Sequence, residues 1–203
     1  MKRILLIAIL VLAPGVVPAQ KPNALPLGWD LTYKTVLESN HVAPNEWIWK
    51  WLEPGYQSPA KQLIATWKHE PIESSVLVDW PAPHAGEHIT MWFVRTQNAA
   101  YYFEEVEKNP PHKTQESLNP QSFDKFLGVV SPWKQGNPVK PEDVPHGGIP
   151  GYYGFLSLYE RGKSRQMLLT LEDYVVCATK QCETWKPGRL SNALMLIPRF
   201  KVK

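Results

Sequence analysis

Twenty prolines are spread over nearly the whole of this 203-residue chain, and they constrain its architecture more than any other feature. Proline removes a backbone donor and clashes with the preceding helical turn, so helices are confined to the few windows between prolines. The segments that remain are short and rich in apolar, β-branched and aromatic residues, which is strand chemistry.

Leu31-Tyr33-Thr35-Leu37 alternates, as does Ile72-Ser74-Val76-Val78-Trp80, and both spacings predict half-buried strands. Glu87 to Thr96 and Ala100 to Glu107 flank Gln97-Asn98, the pattern of a hairpin. Gly151 to Glu160 and Gln166 to Cys177 flank Arg161-Gly162-Lys163-Ser164, a second hairpin with a glycine ready for positive φ. Leu190 to Phe200, with Leu194-Met195-Leu196-Ile197 at its centre, predicts a strand buried on both faces.

Two windows favour helix. Asn119-Pro120 opens one, with Phe123, Phe126, Leu127 and Val130 on one face and Pro132 as its stop. Ser58-Pro59 opens a weaker one that runs to Trp67. Trp133 to Pro150 holds prolines and glycines with little apolar content and is expected to be a long loop. The expected fold is therefore mainly β or α+β: an antiparallel sheet, as a sandwich, half-barrel or layered structure, with one or two short helices and one disulfide.

The first residues carry an address. Met1-Lys2-Arg3 is positive, Ile4 to Ala13 is continuously apolar, and Val17-Pro18-Ala19 offers a cleavage site. The apolar run is about half the length needed to span a bilayer. Residues 1–19 are expected to be a signal peptide and residues 20–203 a single globular domain, periplasmic or secreted, with no membrane span in the mature chain. Cleavage before Gln20 removes Lys2 and Arg3, so the 22 basic residues fall to 20 against 19 acidic ones. With a charge near zero and no basic stripe, nucleic acid is not an expected partner. Cys177 and Cys182, the two cysteines of the chain, are expected to form one disulfide in an oxidising compartment.

Candidate sites are few. Trp47, Trp49 and Trp51 alternate in EWIWKW and predict either a tryptophan-rich core or an exposed aromatic anchor, with Trp49 structural, at least one of Trp47 and Trp51 partly exposed, and Trp47 and Trp51 as the binding candidates. His84-Ala85-Gly86-Glu87-His88 matches the spacing H-x-x-E-H, but prolines before it and strand residues after it deny the helix on which that motif holds zinc. His84 and His88 are thus only weak metal candidates. Glu142, Asp143 and His146 share a glycine-containing loop, and His146 is kept as a binding candidate. No G-x-S-x-G element is present, and Gly162-Lys163-Ser164 lacks the leading glycine of a P-loop.

Nothing in this pattern calls for a cofactor or names a reaction. The expectation is an exported, non-enzymatic binding protein, periplasmic inhibitor or immunity-like, that recognises another protein. The alternatives are a protein that binds or acts on a cell-envelope glycan, on the strength of the tryptophans, and a metal-dependent hydrolase around His84, Glu87 and His88.

Overall fold

A computed structural model of the chain describes residues 33–42, 48–49, 52, 67, 70–82, 87–107, 112–134, 153–170, 173, 175–177 and 185–200. The leader at 1–19, Trp47 and Trp51, the Ser58 to Thr66 window, His84, the loop carrying His146, and Cys182 lie outside the described residues.

A six-stranded antiparallel sheet organises the fold, with strand order β4-β3-β2-β1-β5-β6. The strands are β1 (Ser74–Ala82), β2 (Glu87–Arg95), β3 (Ala100–Glu107), β4 (His112–Leu118), β5 (Tyr153–Glu160) and β6 (Lys163–Thr170). The protein is therefore mainly β with a few short helices: α1 (Tyr33–Ser39), α2 (Pro120–Val130) and α3 (Arg189–Leu194), and a 3-10 turn at Pro198–Phe200.

Period-two alternation gives the sheet two apolar faces. One carries Val76, Val78, Met91, Phe93, Tyr102, Leu156, Leu158, Met167 and Leu169, and packs against Phe123, Phe126 and Val130 of α2 and Leu190, Ala193 and Leu194 of α3. Phe93 lies at its centre, with ring centroids 4.8 Å from Phe126 and 4.9 Å from Tyr102. The opposite face carries Leu77, Trp92, Val94, Phe103 and Tyr159 under Trp67, whose ring meets Trp92 edge-on at 5.7 Å. Farther along this face, Val36 and Leu37 of α1 join Phe155 and Leu168 with Ile48 and the half-buried Trp49. Each large apolar side chain buried in these layers contributes about 1.5–3 kcal/mol.

The two expected hairpins form. β2 and β3 pair from His88↔Glu107 to Arg95↔Ala100, and Thr96 and Ala99 close the turn through Thr96 N–H to the Ala99 carbonyl at 2.9 Å. β5 and β6 are joined by Arg161 (φ 51°) and Gly162 (φ 78°) alone, the two consecutive positive φ values of a turn that matches strand twist. α2 begins as its sequence requires: Asn119 Oδ1 accepts from the Gln121 N–H at 2.9 Å and Pro120 occupies the first turn.

Three local expectations are corrected. Of the segment expected as a strand from Leu31 to Leu37, the described part from Tyr33 is helical: Tyr33, Val36, Leu37 and Asn40 recur at helical spacing, and Thr35, which a strand would bury, is exposed in α1. Leu190 to Phe200 is α3 and a 3-10 turn, because Leu190, Ala193, Leu194 and Ile197 make one buried stripe that needs the sheet on one side only. The second hairpin strand ends at Thr170, earlier than Cys177. There Asp173 accepts the Thr170 N–H at 2.8 Å and pairs with Arg189, and Val175–Cys177 (β7) pairs with Trp185–Pro187 (β8) in a separate two-stranded sheet. β4 had no counterpart in the sequence expectations, since HKTQESL has almost no apolar signal; it is a polar edge strand, the composition that keeps an open edge from pairing with other chains.

Candidate functional site

On the helix-covered face, the end of the sheet formed by β1, β2 and β3 is not filled by α2. Val78 and Trp80 of β1, Ile89 and Met91 of β2 and Val106 of β3 floor an apolar pocket of about 310 Å³. Leu190 of α3 and Phe200 of the terminal turn form its walls. Apolar cavities of roughly 150 Å³ already hold benzene, and ligand pockets begin at roughly 300 Å³, so this one has room for a two-ring side chain or a small apolar ligand.

The indole in its floor is placed by a glycine. A Cβ on Gly154 of β5 would stand 2.3 Å from Trp80 Cε3 and 2.9 Å from Cδ2, so the indole rests directly on the glycine backbone. That strand glycine gives the close approach its lack of a side chain allows.

Glu104 is the one ionisable side chain on the pocket lining among the described residues. Its Oε2 accepts from the Tyr102 hydroxyl and lies 3.8 Å from Arg199 Nη2. Arg199 also pairs with Glu116 of β4, and its guanidinium lies over the Tyr102 ring, 4.8 Å from the centroid. The Tyr102 hydroxyl is pushed well above the ordinary phenol range, first by burial and then by its hydrogen bond to Glu104 and that carboxylate's charge. It therefore stays a donor over the whole working range of pH and holds Glu104 in place.

A second polar cluster lies on the opposite face. Asp79 is fully buried; its Oδ1 meets His88 Nε2 and accepts from Thr90 Oγ1 at 3.2 Å, and its Oδ2 accepts from the Tyr33 hydroxyl. Tyr33 also stacks on Phe155 at 3.9 Å, so the carboxylate ties α1 to the sheet. Across the same row, Glu105 pairs with Lys113 at 2.8 Å through Oε1. The Tyr33 and Thr90 hydroxyls both donate to Asp79, while Oε2 of Glu105 in the same row is buried without a hydrogen bond among the described residues.

The sequence-derived candidates distribute as follows. His88 is in strand β2, nearly inaccessible and committed to Asp79, while His84 lies outside the described residues. No group of three or more His, Cys, Asp and Glu side chains among the described residues is placed to hold a metal ion. Trp49 packs on the α1 cluster and donates from Nε1 to the Val42 carbonyl at 3.2 Å. Trp47, Trp51 and His146 lie outside the described residues, as does Cys182, so the pairing of Cys177 is not described. Sequence reasoning missed Trp80, Gly154, Glu104 and Phe200 as a group. Gly154 inside an otherwise continuous strand was the available signal, because such a glycine marks a close approach.

The chain was compared with protein-family models, with curated proteins and with solved structures, and it matches none of them.

Proposed function

We propose that the protein is an exported binding protein with no reaction of its own, and that its pocket seats an apolar side chain of another protein. The observation that carries this is the pocket itself: a concave apolar site of about 310 Å³ whose polar edge is a pre-ordered Tyr102–Glu104–Arg199 network. Protein interfaces concentrate affinity in such sites, where one large residue is desolvated and a polar rim surrounds it. A glycan platform would instead present its indoles on an open, flat surface, whereas Trp80 is half-buried in a concavity.

Export and the Cys177–Cys182 bridge belong to the same proposal. Their support is the leader composition and the position of Cys177 at the end of β7, five residues before Cys182 and just ahead of β8. A bridge there would staple the small hairpin.

N-acetyl-tryptophanamide tests the pocket, with the Met91 methyl resonance as the reporter. Saturable shifts of that methyl, abolished in Ile89→Trp with the fold intact, are the expected result. Shifts confined to other methyl groups would refute the assignment.

A further inference from the structure

If the pocket seats a partner's apolar side chain, the charges at its edge bear on the residue beside that side chain. Glu104, Glu116 and Arg199 form one network holding two carboxylates and one guanidinium, and so carry a net negative charge. The guanidinium is fully engaged: it pairs with Glu116, approaches Glu104 at 3.8 Å, and lies over Tyr102 and Phe200 at 4.8 and 5.9 Å. Glu104 is only half used. Oε2 has Tyr102 and Arg199, while Oε1 has no hydrogen bond among the described residues, and the carboxylate sits on the lining of the pocket. Glu116, on the adjacent edge strand, is open to solvent beside it.

We propose that the recognised segment carries a basic residue next to its apolar anchor, so that the anchor fills the pocket over Met91 and Val106 while the cation meets Glu104 and Glu116. This rests on the binding role proposed above. A carboxylate with a free acceptor, held on an apolar wall, favours an incoming donor and penalises an incoming anion. Because the edge is partly exposed, the charge pair adds selectivity more than affinity, and salt weakens it.

Three capped peptides with Trp-Lys, Trp-Glu and Ser-Lys at their centres, titrated into the full exported protein at low and high salt, test it. The expected result is that Trp-Lys binds roughly fivefold more tightly than Trp-Glu at low salt, as suits a partly exposed charge contact. The gap closes as salt is raised, and Ser-Lys gives no saturation. Glu104→Gln should remove the preference while both tryptophan peptides still bind, and Glu116→Gln, at a more exposed position, should halve it if the first variant does not fold. Equal binding of Trp-Lys and Trp-Glu, or tighter binding of Trp-Glu, would overturn the charge inference and leave the pocket standing. Failure of both tryptophan peptides would remove the pocket and the inference with it.

Discussion

A single missing side chain shapes the candidate site. Trp80 rests where a Cβ on Gly154 would stand, so Gly154→Ala must push the indole away from β5. The expected outcome is a loss of about 1–3 kcal/mol in denaturant unfolding, the usual cost of overpacking, together with weaker occupancy of the pocket. Tyr102 supplies a second residue-scale test. Its folded-state ionisation is raised above the ordinary value near 10, so the native state keeps a proton that the unfolded chain releases above about pH 10. Stability is thus undiminished below that pH and falls as pH rises beyond it; Tyr102→Phe should flatten that decline in unfolding midpoints measured across the alkaline range. Neither effect was legible from composition. Gly154 was visible as a glycine in a strand, but Glu104 and Tyr102 looked like any strand residues until the register with β4 and the return of Arg199 brought the charges together.

At the scale of elements, the sequence spoke clearly where local and tertiary signals agreed. β2 and β3 are apolar, β-branched and joined by turn residues, and α2 has its cap, its first-turn proline and its buried stripe, so each formed as expected. Asn119→Ala should therefore cost about 1 kcal/mol, seen as a lower urea midpoint with an unchanged slope, because it removes the Oδ1 acceptor of the Gln121 N–H, while the Ser122 N–H keeps its bond to the Asn119 carbonyl at 3.0 Å. The two segments read as strands that are helices share one cause. α1 and α3 are only 7 and 6 residues long, and over such lengths a helical stripe and a buried strand place apolar residues almost alike. Only docking against the sheet distinguishes them. α1 ends in backbone bonds from Val42 N–H to the Leu37 carbonyl at 3.1 Å and from His41 N–H to the Glu38 carbonyl at 3.1 Å, with His41 at φ 54° in the place usually given to glycine. Without that glycine the end of α1 left no mark in the sequence.

Among the described residues, the six-stranded sheet has apolar residues on both faces, with helices over one and α1 and two tryptophans, Trp49 and Trp67, over the other, and the β7–β8 pair forms a separate small sheet. None of its described helices is long and apolar enough to cross a membrane. Export predicts a protein whose intact mass corresponds to a start at Gln20, within a residue or two, and which takes up two alkyl groups only after reduction; alkylation without reductant would refute the bridge. Intermolecular nuclear Overhauser contacts test most directly whether the space beneath Leu190 and Phe200 is a binding site. With N-acetyl-tryptophanamide at saturation, the indole protons should show contacts to the Met91 and Val106 methyl groups, and these should vanish in Ile89→Trp. Contacts only to residues outside the pocket, or contacts that persist when Ile89→Trp has filled it, would contradict the account.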